Sequence, residues 1–93
     1  MTNSTQRILY RKVGSKIRES RERLGLTQEA LAKQVSLSRT SITNIEQGRQ
    51  TVLVHQLVEF ARALNVEPNT LLPPSKIGSA AKVAVEIAGN GRS

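Results

Sequence analysis

The sequence predicts an all-α fold, a compact domain of five helices followed by a short C-terminal extension. Three observations carry this expectation. Aromatic residues make up only 2% of the 93-residue chain while hydrophobic residues make up 38%, a balance suited to aliphatic helix packing rather than to a sheet sandwich. Apolar residues recur at helical spacing in successive stretches, the primary signal of helices that bury one face. Residues that stop helices, namely Gly25, Gly48, Asn65 and the pair Pro73-Pro74, stand where those stretches end.

Helix one is read from Ile8 to Leu24, because Leu9, Val13, Ile17 and Leu24 keep a helical period and Gly25 supplies a left-handed stop. Gly14 lies within it, where another backbone can pack closely. Thr27 is a good N-cap for a short second helix, with Glu29 in its first turn and Leu31, Ala32 and Val35 facing inward. Ser38 caps a third helix that runs to Gln47 before Gly48 ends it. Thr51 is expected to cap a fourth, in which Leu53, Leu57, Phe60, Ala61 and Leu64 form the strongest amphipathic signal in the chain. Asn65 closes that helix, Pro68 suits the first turn of a very short fifth carrying Leu71 and Leu72, and Pro73-Pro74 ends it.

The expected organisation is a flexible N-terminal arm over residues 1–8, one domain over 9–73, and an extension over 74–93. In the extension KVAVEI alternates like a strand, while Ala80, Ala84, Ile87 and Ala88 fit one helix face. It is either disordered or a segment that binds a second copy or a partner.

Fourteen Lys and Arg against seven Asp and Glu give a formal charge of +7 and a pI near 10.9, a balance that attracts polyanions, nucleic acid foremost. Cysteine is absent, which excludes disulfides, thiolate zinc sites and cysteine nucleophiles. His55 has no second His or carboxylate pair at ligand spacing, so it reads as a surface residue and neither metal nor cofactor is expected. The same poverty, together with the lack of a phosphate-cradling glycine loop, argues against an enzyme. No apolar run is long enough to span a bilayer and MTNSTQRI lacks the apolar core of a signal peptide, so no membrane partner is expected and a cytoplasmic protein is.

The third helix is the informative element. Ile42 and Ile45 point one way, whereas Arg39, Thr40, Thr43, Asn44 and Gln47 form a stripe on the opposite side, about 140° wide at 100° per residue. These are short or specific hydrogen-bonding side chains instead of the Glu, Lys and Ala of an ordinary exposed face, and none is acidic. Two short helices joined by the turn at Ser36-Leu37 form a helix-turn-helix. The second of them fits a DNA major groove, which is about 12 Å wide and admits one helix of about 10 to 12 Å diameter. Arg can grip guanine with two hydrogen bonds, Asn can pair with adenine, and Thr offers a hydroxyl and a methyl group for thymine.

The run TQEALAKQVSLSRTSITNIEQGR, with GLTQEALA, FARALNV and NTLL, resembles the phage-repressor (Cro/repressor-type, XRE-like) family of helix-turn-helix DNA-binding domains, over Tyr10 to Leu72. The resemblance implies a five-helix, repressor-like domain that docks helix three in the major groove of double-stranded DNA, as a homodimer on a near-palindromic operator, to regulate transcription. It implies base-reading positions at Arg39, Thr40, Thr43 and Asn44, and phosphate contacts from Gln28, Ser38 and Ser41. Arg49 is a plausible phosphate contact in the following loop. Arg21 is implied to pair with Glu46 and so orient helix three rather than touch bases. Helix one's other cations are mostly a solvated face, although Arg7, Arg11 and Lys12 can reach phosphate.

Two departures stand out. Ser36 occupies the turn position most often filled by Gly, and Val52 stands where many members have Pro. A rival function is a protein-binding module such as an antitoxin that also represses its own operon, with a toxin or anti-repressor as partner. Val54 and Val58 widen the apolar stripe of helix four; that surface serves a homodimer seam or such a partner equally well, and the seam is the favoured reading.

Overall fold

Four α-helices each end on a residue with left-handed backbone, and those four stops set the path of the chain. The computed structural model describes residues 4–74. Helices α1 (Ser4–Arg23), α2 (Gln28–Gln34), α3 (Arg39–Glu46) and α4 (Val54–Leu64) are followed by a 3-10 turn over Pro68–Leu71. The left-handed residues are Gly25, Ser36, Gly48 and Asn65, with φ of 72°, 56°, 76° and 58°. After each one the next backbone N–H donates to the carbonyl five residues back: Leu26 to Arg21, Leu37 to Ala32, Arg49 to Asn44 and Val66 to Ala61, at 2.8–3.1 Å. This closure satisfies carbonyls that the helix end would leave orphaned. Gly adopts the conformation freely and Asn tolerates it, but at Ser36 it costs about 1 kcal/mol.

At the other ends the sequence supplies its own acceptors. The Thr27 hydroxyl accepts from the Ala30 N–H at 3.0 Å, and the Ser38 hydroxyl accepts from the Ser41 N–H at 3.0 Å. Such caps each stabilise a helix by about 1 kcal/mol, which matters for helices of seven and eight residues.

The core draws on every element. Val13 and Ile17 of α1, Leu31, Ala32 and Val35 around α2, Ile42 and Ile45 of α3, Phe60, Ala61 and Leu64 of α4, and Leu71 of the final turn are all buried. Phe60 is wholly enclosed, so truncating it to Ala would cost about 3–5 kcal/mol. Helix α1 packs on α3, α4 and the final turn, α2 packs on α3, and α4 packs on the final turn. Helices α1 and α3 approach closely at Gly14, where a Cβ would fall on the Ile45 carbonyl oxygen and 2.9 Å from that of Glu46. The absence of a side chain there lets the backbone of α1 rest directly on the last turn of α3.

Several expectations need correction. There are four α-helices among the described residues rather than five, because the fifth element is a single 3-10 turn. Leu72 precedes Pro73 and is extended, with ψ of 143°, as the steric demand of a following proline requires. Helix α1 begins at Ser4 rather than Ile8, so residues 4–8, assigned to a flexible arm, are helical here. Gln6 and Arg7 are good helix formers that carry the helix past its first core contact. Thr51 does not cap α4. The N-cap is Leu53, whose backbone N–H donates to Gln56 Oε1 at 2.9 Å. As an extended cap residue Leu53 turns outward, 55% exposed, and Leu9 and Leu24 are also exposed. In α1 the inward stripe continues instead through Ser20 and Arg21, both buried. The expectations for the C-terminal extension fall on residues 75–93, outside the described residues.

Candidate nucleic-acid interface

Helix α3 divides its eight residues cleanly. Ile42, Ile45 and Glu46 are buried, Arg39 and Thr40 are exposed, and Ser41, Thr43 and Asn44 are half-buried at the boundary, with exposed Gln47 following. The polar row expected from the sequence therefore faces outward. The capped N-terminus, the Gly48 stop and the buried isoleucines together fix its rotation about the helix axis.

Beneath this row lies a hydrogen-bonded network. Arg21 of α1 grips Glu46 with two bonds, Nε to Oε2 at 2.7 Å and Nη2 to Oε1 at 3.2 Å, and its Nη1 donates to the Leu26 carbonyl at 2.7 Å. The two side chains are 10% and 2% exposed, so the expected Arg21–Glu46 pair is present and deeply shielded. A bidentate guanidinium–carboxylate pair fixes orientation as well as distance. It ties the end of α1 and the α1–α2 turn to the last turn of α3.

Gln28 extends the network towards the outer face. Its Nε2 donates to Glu46 Oε1 at 3.1 Å, while its Oε1 lies 3.0 Å from the Thr43 hydroxyl. That hydroxyl also lies 3.1 Å from the Arg39 carbonyl, and having one proton it donates to one of the two at a time. The Thr43 hydroxyl proton is thus already engaged within the protein. Gln28 keeps one amide hydrogen beyond the one given to Glu46. Ser38 and Ser41 are joined by a hydroxyl–hydroxyl bond of 3.1 Å with Ser38 donating, so Ser41 retains its own proton to give.

Arg39, Thr27, Gln28 and Glu29 border one shallow depression between the start of α2 and α3. Arg49 sits elsewhere, beyond the C-terminal end of α3, in an open groove shared with Arg7, Arg11 and Arg18 of α1. In the sequence Arg7 and Arg11 read only as cations able to reach phosphate, and Arg18 does not stand out beside them. Their i, i+4, i+11 spacing was the available signal, since it sets all three on one helix face. Lys12 does not line the groove. Among the described residues no cluster of His, Asp and Glu could hold a metal ion, and no helix is long and apolar enough to cross a membrane.

Comparison with known proteins agrees with this geometry. Residues 12–72 match the helix-turn-helix domain family. The control protein C.BamHI of Bacillus amyloliquefaciens is 36% identical over 80 residues, which span 85% of this chain and 94% of that protein. The crystal structure of the restriction-modification controller protein C.AhdI from Aeromonas hydrophila superposes with a TM-score of 0.65 at 35% identity, covering 68% of this chain and 91% of that one. The P22 c2 repressor, solved in complex with a synthetic operator, gives a TM-score of 0.63 at 30% identity over 68% of this chain and 96% of its own.

Proposed function

The chain belongs to the helix-turn-helix domain family, and from that premise we propose that it is a sequence-specific regulator of transcription that reads double-stranded DNA with α3. The observation that carries this reading is the outward row Arg39, Thr40, Thr43 and Asn44 on a helix whose opposite face is locked into the core. Eight residues of α-helix are about 12 Å long, enough to lie in a major groove and offer three or four side chains to base edges. Arg39 is the candidate guanine reader and Asn44 the candidate adenine reader. Thr40 and the methyl group of Thr43 suit apolar contact with thymine. Gln28, Ser38, Ser41 and Arg49 are assigned to phosphates bordering the groove, where they set register rather than sequence preference.

The protein acts as a repressor in this reading and binds a near-palindromic operator as a homodimer. Leu53 at the N-cap and Val54 and Val58 of α4 leave an apolar surface, with Val54 81% exposed, which a second copy covers. The relatives named as a control protein and a restriction-modification controller protein are 36% and 35% identical to this chain against 30% for the P22 c2 repressor, which favours a controller of that kind over a prophage repressor or an antitoxin.

Selecting bound fragments from random double-stranded DNA tests the proposal. The expected result is one consensus with two-fold symmetry and half-sites about 10 base pairs, or a multiple of that, apart. Recovery of fragments with no common sequence would overturn the assignment of α3 as a reader.

A further inference from the structure

Four guanidinium groups converge on the groove between α1 and the loop after α3, although nothing in the base-reading row requires them there. Arg7, Arg11 and Arg18 come from α1 and Arg49 from the loop. Along α1 the three span about 16 Å at 1.5 Å per residue and lie within about 40° of one another. Two glycines bring the walls together. Gly14 seats α1 on the last carbonyls of α3, and at Gly48 a Cβ would lie 2.8 Å from Arg11 Cα. Arg11 therefore rises from backbone that touches Gly48, the chain neighbour of Arg49.

The groove is short of negative charge. The one carboxylate on its lining, Glu46, is already gripped by Arg21. Arg7, Arg11 and Arg49 make no ion pair with a described residue, and Arg18 has an exposed i, i+4 partner in Glu22 at 3.1 Å. An exposed pair of that kind is worth little and exchanges readily for a better anion. Holding four cations together, three of them without a counter-charge among the described residues, favours a polyanion that fits among them, and the planar guanidinium fork matches phosphate oxygens.

We propose that this groove is a second backbone site, an arginine wall that holds the sugar–phosphate strand bordering the C-terminal end of α3. Arg7, Arg11 and Arg18 join Arg49 in it, whereas Gln28, Ser38 and Ser41 serve the opposite strand near the start of α3. The major groove is about 12 Å wide, so side chains just past either end of a helix of this length reach the two flanking strands. The inference rests on the reading of α3 as the element that enters the major groove.

The test measures binding of the full chain to its selected operator and to a random duplex over a series of KCl concentrations. Arg11→Ala should flatten the salt slope by about 0.9 and Arg7→Ala/Arg11→Ala by about 1.8, equally on both duplexes. The selected consensus and the thermal unfolding midpoint should not change. Arg62→Ala, on α4 and outside the groove, removes the same charge and should leave the slope alone. A wild-type protein that binds its operator selectively, combined with an unaltered slope in Arg11→Ala or an equal loss in Arg62→Ala, overturns the arginine wall alone. Failure of the wild type to prefer any sequence overturns the reading beneath it as well.

Discussion

Removing the cation beneath α3 should cost more stability than removing the anion, and the two losses should not add. Arg21→Met keeps an apolar stem of similar length but leaves the Glu46 carboxylate, 2% exposed, with the Gln28 amide as its remaining side-chain donor. Breaking a buried pair from one side costs about 3–5 kcal/mol, a large part of the roughly 5–10 kcal/mol that holds a domain of this size together. Glu46→Gln is milder, because Arg21 keeps the Leu26 carbonyl at 2.7 Å and has Glu22 at 3.9 Å. The double variant carries no buried charge in want of a partner, so its loss should fall about 1–3 kcal/mol short of the sum of the single losses. Urea denaturation of the four proteins, followed by far-ultraviolet circular dichroism at one pH, measures the cycle. Additivity within about 0.5 kcal/mol would refute the argument that this pair is the clamp between α1 and α3.

Other perturbations test neighbouring parts of the account. Gly14→Ala gains about 1 kcal/mol of helix propensity, but its methyl group must displace the backbone carbonyls at the end of α3. We expect a net loss of about 1–3 kcal/mol in thermal or urea unfolding and weaker DNA binding; a more stable variant would show that the two helices are not in rigid contact. Ser36→Gly relieves the left-handed serine and should stabilise by about 0.5–1 kcal/mol, a rise of several degrees in Tm, with operator affinity unchanged. Val54→Ser/Val58→Ser should shift the protein from dimer to monomer in sedimentation experiments while thermal unfolding of the monomer is nearly unaltered. An unchanged mass would move the dimer seam away from α4.

Most of the helix-turn-helix could be read from the sequence because its signals are local. Thr27, Ser38, Gly25, Gly48 and Asn65 act within a few residues of themselves, through caps and left-handed stops. The outward row on α3 follows from period alone once Ile42 and Ile45 are taken as core. What the sequence concealed depends on tertiary context. Ser20 and Arg21 interrupt an apolar stripe yet are buried, since Arg21 finds its anion 25 residues away. Leu53 continues the apolar period of α4 in the sequence but caps the helix and is exposed, a difference of two residues in where the helix starts. The fifth helix shrank to one turn because Pro68 and Pro73 leave too little chain between them for more. In the candidate site, the double engagement of Gln28 with Glu46 and Thr43 and the meeting of Arg49 with α1 need the packing of separate helices before they can be seen.

The central claim is that α3 discriminates bases, and the most direct measurement is the affinity of Arg39→Ala for the selected operator and for every single-base-pair change in one half-site. The account predicts a loss of about 1–3 kcal/mol on the operator and indifference to sequence at one base pair, with discrimination at the other positions retained. A uniform loss across all these duplexes, with the wild-type pattern of preference preserved at every position, would contradict it.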